Sequence, residues 1–154
     1  MNISEVQSAV ASKLAAYPAT AAYLPGLIFD YRQCKKTSGE TLATDEDVGE
    51  FLASRLSAAG VVFEIGLVSG TKSDERPGRW QVMRAAISLT IAESITVAHT
   101  LADDALVNAT MFALTAPEAD GYESPFTVEG FDKEVSEKGY VLHFIELSVP
   151  VEIR

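Results

Sequence analysis

The chain closes on "GYVLHFIELSVPVEIR", residues 139–154, and this stretch limits the possible folds more than any other. Val141, His143, Ile145, Leu147, Val149, Val151 and Ile153 alternate with Leu142, Phe144, Glu146, Ser148, Pro150 and Glu152. A period of two puts the first set on one face of a strand and the second set on the other. The second face starts apolar and turns polar. Pro150 has no N–H to give to a ladder, so this part of the strand is expected at a sheet edge or beyond it. An apolar face that outruns its own domain needs a cover, and a neighbouring copy of the chain is the expected one.

The rest of the chain supplies the layers around such a strand. "NISEVQSAVASKLAAYP" sets Ile3, Val6, Val10, Leu14 and Tyr17 at helical spacing, with Asn2 and Glu5 as a capping box and Pro18 as the stop. "YLPGLIFDYRQ", 23–33, reads as a turn and a short strand, and the polar "CKKTSGETLA" after it as a loop. A second helix is expected from a Thr44 cap to Gly60, with Val48, Phe51, Leu52, Arg55, Leu56 and Ala59 on its mostly apolar face.

"VVFEIGLVSG" and "WQVMRAAISLTIAES" then read as strands joined by the polar "TKSDERPGR". In the second of them Met83, Ala85, Ile87, Leu89 and Ile91 share a side with Gln81. A third helix is expected to start at Thr100, with Asp103 at N3, and to run to Pro117 behind Leu101, Ala105, Ala109, Phe112 and Ala113. "PFTVEGFDKEV" and the closing segment form a hairpin in which Gly139 takes positive φ.

The order is α-β-α-β-β-α-β-β. Long hairpins separated by single helices predict an α+β domain over 1–154, a mostly antiparallel sheet with the helices packed on one face, and 34–60 as an inserted loop and helix. At 154 residues the chain is long enough for one core. Its 47% apolar and 22% charged residues belong to a globular protein rather than a disordered one.

Several functions are set aside on chemistry. The formal charge of −10 opposes phosphate backbones, so no sequence-specific nucleic-acid binding is expected. Glu93 interrupts the longest apolar stretch, 85–102, and leaves no membrane span; no basic leader precedes the first helix, so synthesis in the cytoplasm is expected. The single Cys34 can form no internal disulfide, and although Lys35 and Lys36 beside it favour a thiolate, a lone thiol in a polar stretch is expected to be inert.

"GLVSGTKS" lacks the glycine before Lys72 that a phosphate-binding loop requires, and Ser69 is not spaced as a nucleophile elbow. "PEADGYES" lacks the alternating oxygen ligands of a calcium loop, and Asn108 of the sequon "NAT" falls within a helix.

His99 with Asp103 and Asp104 is the one imidazole and carboxylate group that could hold a metal, yet acidic residues in a first helical turn already answer the helix dipole. His143, on the apolar face of a strand, reads as a satisfied core or interface histidine. No metal, cofactor or catalytic residue is expected.

The opening helix "ISEVQSAVASKLAAY", the strands "VVFEIGLVSG" and "WQVMRAAISLTIAES", the helix "LADDALVNATMFAL" and the closing "GYVLHFIELSVPVEI" resemble the tail terminator, or tail completion, proteins of long-tailed bacteriophages and prophages, including the Mu-like group. The resemblance implies a non-enzymatic structural protein of the virion tail, made in the bacterial host cytoplasm. Such a protein forms a ring, commonly a hexamer, that stops tail tube growth and meets the head or neck. Its partners would be copies of itself, the tail tube protein and a head or neck connector.

A ring needs unlike patches that meet, and strand edges are suitable material. Arg76, Arg79 and Trp80 in the hairpin connection, and Val149, Val151 and Ile153 in the closing strand, are the expected contacts. The alternatives are a small-molecule-binding α+β domain or an enzyme, and another head-tail connector or tail tube-like protein.

Overall fold

A computed structural model describes residues 1–24, 26–30, 33–73 and 81–153. The closing strand, β7 (Tyr140–Ile153), runs antiparallel to β5 (Gln81–Ser94) over its whole length, from Gln81↔Ile153 to Ser94↔Tyr140. On its other side it pairs with β6 (Thr127–Val135), from Thr127↔Ser148 to Val135↔Val141. β4 (Val61–Ser73) is antiparallel to the far side of β5, and the short β1 (Leu27–Phe29) lies parallel to β4. β2 (Cys34–Lys36) and β3 (Thr41–Leu42) extend the sheet beyond β1. The result is an α+β fold on one seven-stranded, mostly antiparallel sheet in the order β3-β2-β1-β4-β5-β7-β6.

The strand periodicity becomes the core. Phe63 and Ile65 of β4, Ala85, Ile87, Leu89 and Ile91 of β5, and Ile145, Leu147, Val149 and Val151 of β7 form one continuous buried face. Helix α1 (Val6–Ala16) lays Val6, Val10 and Leu14 on it, and α4 (Asp104–Thr115) adds Leu106, Val107 and Leu114. Burying a side chain of this size stabilises the fold by about 1.5–3 kcal/mol, so this face carries most of the folding free energy.

Ile145, Leu147, Val149 and Val151 of the apolar set of β7 are therefore sheltered by their own molecule. Val149 and Val151 are 0% and 1% exposed, which corrects their expected role as contact residues; β5 and the first helix cover the ribbon that was expected to stand free. Ile153 pairs through its backbone with Gln81, and its side chain lies outside the described part, as do Arg76, Arg79 and Trp80 entirely.

The inference from Pro150 holds. Past Ser148, β6 no longer accompanies β7. The N–H of Glu152 points to the carbonyl of Met1 at 2.9 Å, away from β5. Residues two apart in a strand direct their N–H groups the same way, so the N–H that Pro150 lacks belongs to the same outer side.

The helices follow the sequence with two departures. Tyr17, extended before Pro18, ends α1, and the proline opens a single turn, α2 (Pro18–Ala21). α3 (Asp45–Ala59) starts where Thr44 Oγ1 accepts the Asp47 N–H and stops at Gly60, which has φ 77°. α1 and α4 lie on the core face as expected, whereas α3 lies on the reverse face. Lys36, which shares the face of Leu27 by register, places its Nζ 5.2 Å from the centroid of the Phe51 ring. A crossover from β1 to the parallel β4 has to pass over one face of the sheet, and α3 is part of that crossover. None of its residues is fully buried.

The segment 34–60, expected as an insert beginning with a loop, thus contributes β2 and β3 to the sheet as well as α3. The second departure is α4. It starts at Asp104 rather than after Thr100, and its buried stripe is Leu106, Val107, Thr110, Ala113 and Leu114, while Phe112 is exposed.

Leu147→Ala should lower unfolding free energy in urea by about 2–5 kcal/mol, the range for a truncated core leucine. A loss below about 0.5 kcal/mol, the level of a surface change, would mean that the β7 face is not enclosed by the protomer.

Candidate functional site

The delayed start of α4 has a chemical cause. Glu93 is the next residue after Ile91 on the core face of β5, so the register that builds the core carries a carboxylate to its rim and buries it. His143 pairs with Ile91 across β5 and β7, and Lys133 pairs with His143 across β7 and β6. Register partners share a face, so Glu93, His143 and Lys133 form a row across three strands at one end of the core.

His143 Nε2 lies 2.9 Å from Glu93 Oε1, and His99 Nε2 lies 2.7 Å from Glu93 Oε2. The backbone N–H of Asp103 donates to both oxygens, at 3.1 and 2.9 Å. This contact pins residue 103 at φ 50°, a conformation outside the helix and costly for a residue with a Cβ, and α4 can begin only after it. The Asp103 side chain does not cap the helix. It accepts from Lys133 Nζ at 2.5 Å, and Asp104 accepts from the same ammonium at 3.3 Å.

The electrostatics follow from the donors. Burial pushes the Glu93 carboxyl up, but the hydrogen bonds from His143, His99 and the Asp103 amide, with the charge of His143, outweigh it and hold the group below the usual carboxylate range. The hydrogen bond from Lys133 lowers Asp103, and the same bond raises Lys133.

Glu93, Asp103 and His143 bring one ligand atom each within 4.8 Å of one another, a spacing a cation could use. Their electron pairs are already engaged: Glu93 by two imidazoles and an amide, Asp103 by Lys133. The carboxylates are balanced by protonated nitrogens, and a metal would have to displace these donors before it bound.

A cleft of about 660 Å³ opens above this row. Its polar floor is Glu93, His99, Asp103 and Lys133, and its apolar walls include Ile95, Val135 and Val141. Apolar walls around a few convergent polar groups are the usual make-up of a small-molecule site. Of the sequence candidates, the structure brings His99 and Asp103 together, through Glu93, and places Asp104 on the solvent side of Lys133.

His143 is satisfied inside the fold, as its position on an apolar face suggests. Glu93, the hub, is missing from the sequence-based group. The signal for it was present, since a single acid in an otherwise apolar strand is expected to have a partner wherever that strand is buried.

Cys34 is buried, and its thiol is pushed up by burial and then by the nearby Glu64 carboxylate, the opposite of an activated nucleophile. Among the described residues no helix is long and apolar enough to cross a membrane.

No family model matches the chain, and no curated protein matches it. Three solved structures from Akkermansia muciniphila align along all of this chain at 14% identity. One is a crystal structure with a TM-score of 0.35, 79% of which is covered. A second, solved without its transmembrane region, has the same TM-score and is covered over 87%. The third is a core domain with a TM-score of 0.33, covered over 90%. Likeness of this degree carries neither a fold assignment nor a function to this chain.

The lowered Glu93 carboxyl gives acid sensitivity with a definite sign. A group whose folded value lies below its unfolded one contributes stability above the unfolded value, about 4.3 for glutamate, and that stability is lost as pH falls through the folded value. Glu93→Gln should lower stability at neutral pH by about 3–5 kcal/mol, as for a broken buried pair, and should flatten the acid limb of the stability curve. Urea midpoints measured from neutral to acid pH check this; an unchanged acid limb in the variant would show that Glu93 is not the group responsible.

Proposed function

We propose that this chain is a non-enzymatic structural subunit that assembles with copies of itself, in the ring-forming role that the resemblance to phage tail terminator proteins implies. In that role it caps the tail tube and joins it to the head or neck, with the tail tube protein and a head or neck connector as its further partners, in a virion built in the bacterial host cytoplasm.

The observation that carries this reading is the free edge of β6. Among the described residues this nine-residue strand pairs only with β7, so its outer backbone N–H and C=O groups have no ladder partner. Phe131 and Val135, both 68% exposed, stand on its core-side face. Two large apolar side chains on an open strand edge suit strand addition by a neighbour.

The surface charge favours the same reading. The reverse face over β5, β7 and β6 presents the exposed Glu129, Asp132, Glu134 and Glu146. A ring that turned this face to its bore would let DNA pass without adhesion, because phosphates would meet like charge. Arg76, Arg79 and Trp80, in the sequence between β4 and β5, stay as candidate contacts; Val149 and Val151 do not, because the protomer covers them.

A second reading draws on the cleft above Glu93, whose polar floor and apolar walls fit a small-molecule-binding domain.

Mass photometry and light scattering over a concentration series separate the two. Assembly predicts closed species of defined size that grow with concentration, and Phe131→Asp should shift the midpoint at least about tenfold while circular dichroism stays unchanged, as for loss of an interface anchor. A monomer at every concentration, indifferent to Phe131→Asp, would overturn assembly through this edge.

A further inference from the structure

Both ring nitrogens of His99 face atoms that can only accept. Nε2 is 2.7 Å from Glu93 Oε2, and Nδ1 is 2.7 Å from the carbonyl oxygen of Val97. A neutral imidazole has one N–H, so in either tautomer one of these contacts would set a ring lone pair against an oxygen lone pair. The doubly protonated ring donates to both.

The surroundings favour the same charge. His99 packs on Gly60 at the C-terminal end of α3; a Cβ placed on Gly60 would come within 2.8 Å of Nδ1. The negative end of a fifteen-residue helix stabilises a cation at that position.

We propose that His99 is a proton-operated latch on the 95–103 loop: as an imidazolium it fastens the loop to Glu93 and to the end of α3, and as a neutral ring it loosens the loop, which is itself one wall of the cleft. This is independent of the assembly reading. The loop forms one side of the cleft, contributing Ile95, Thr96, Val97, Ala98, Ala102 and Asp103.

Among the described residues, the charged or titratable groups that the contacts of the ring and of Glu93 bring together each have a defined part. From β5 the anion is Glu93. From β7, His143 donates one N–H to the other oxygen of that carboxylate, which its neutral form can do. From β6, Lys133 is engaged by Asp103 at the end of the loop and by Asp104 at the start of α4. From the segment before β1, Tyr23 meets the His99 ring edge-on at 6.5 Å, and its hydroxyl accepts the Leu101 N–H. Of the two imidazoles bonded to Glu93, His99 is the one shown with acceptors at both ring nitrogens, so its contacts call for the doubly protonated form.

When His99 loses a proton it keeps one of its two bonds, and either Val97 or the buried carboxylate is left without its donor. Besides the Leu101 N–H to Tyr23 and the Ile95 N–H to the Gly139 carbonyl, the remaining ties of the loop are local or sit at its end. Ser94 Oγ accepts from the Thr96 and Val97 amides, and the Asp103 amide donates to Glu93.

The full chain, labelled with nitrogen-15 in its histidines, tests this directly. Near pH 6 the ring of His99 should show two protonated nitrogens. As pH rises to about 9.5, past the imidazole range, it should become a single tautomer. Across the same change, amide exchange at 96–103, corrected for its intrinsic base dependence, should quicken at least about tenfold, as expected on losing a charged hydrogen bond, while the amides of 87–91 hold their protection. In His99→Gln the exchange of this loop should no longer respond to pH.

A ring that is neutral at every pH, or that never loses its second proton in this range, overturns the latch. So does a loop whose protection stays the same after the ring is neutral. Should His99→Gln not fold, the wild-type titration decides alone.

Discussion

The pairing of β5 with β7 is the constraint on which the other features depend. Fourteen register partners, from Gln81↔Ile153 to Ser94↔Tyr140, run without a bulge, whereas both flanking ladders, β4 with β5 and β6 with β7, contain register shifts. An unbroken two-residue period keeps Ala85 to Ile91 and Ile145 to Val151 on one face, and α1 and α4 pack against that face. A slip of one residue would turn this whole apolar set to the reverse side and leave the helices nothing to cover.

The same register makes the charged cluster. Continuing the core row past Ile91 brings Glu93 under the helices, with His143 diagonal to it and Lys133 one strand further on. A carboxylate buried there without partners would be untenable, so the chain around it is shaped to bring donors: His99 and the Asp103 amide come from the loop that follows β5. The cost appears as a non-helical Asp103 and a late start for α4. The cleft lies at the same place, with the 95–103 loop on one side and Lys133, Val135 and Val141 of the β6 and β7 hairpin on the other. Function, on either reading, would act at this end of the sheet or along its β6 edge.

Much of this was legible in the residues. The alternation in β5 and β7, the cap at Thr44, the stop at Gly60 and the turn at Gly139 are local signals, and each sits where its chemistry requires. What was not legible depended on distant partners. β2 and β3 are short and polar, and only their place beside β1 makes them strands. Thr100 followed by Asp103 looks like a helix cap, but Glu93, ten residues before Asp103, claims the amide. His99 and Asp103 stood out by type, whereas Glu93 looked like an interruption and proved to be the centre. The apolar β7 ribbon suggested an uncovered surface because no sequence pattern says how much of a face the first helix will reach.

Native-state hydrogen exchange across β5 and β7 tests the ladder most directly. Amides of 85–91 and 143–149 that face into the ladder should exchange together, slowest in the molecule, with one shared free energy close to that of global unfolding. If 147–149 exchanged orders of magnitude faster than 85–91, like a frayed end, the closing ribbon would not be enclosed by its own protomer, and both the core and the placement of Glu93 described above would be wrong.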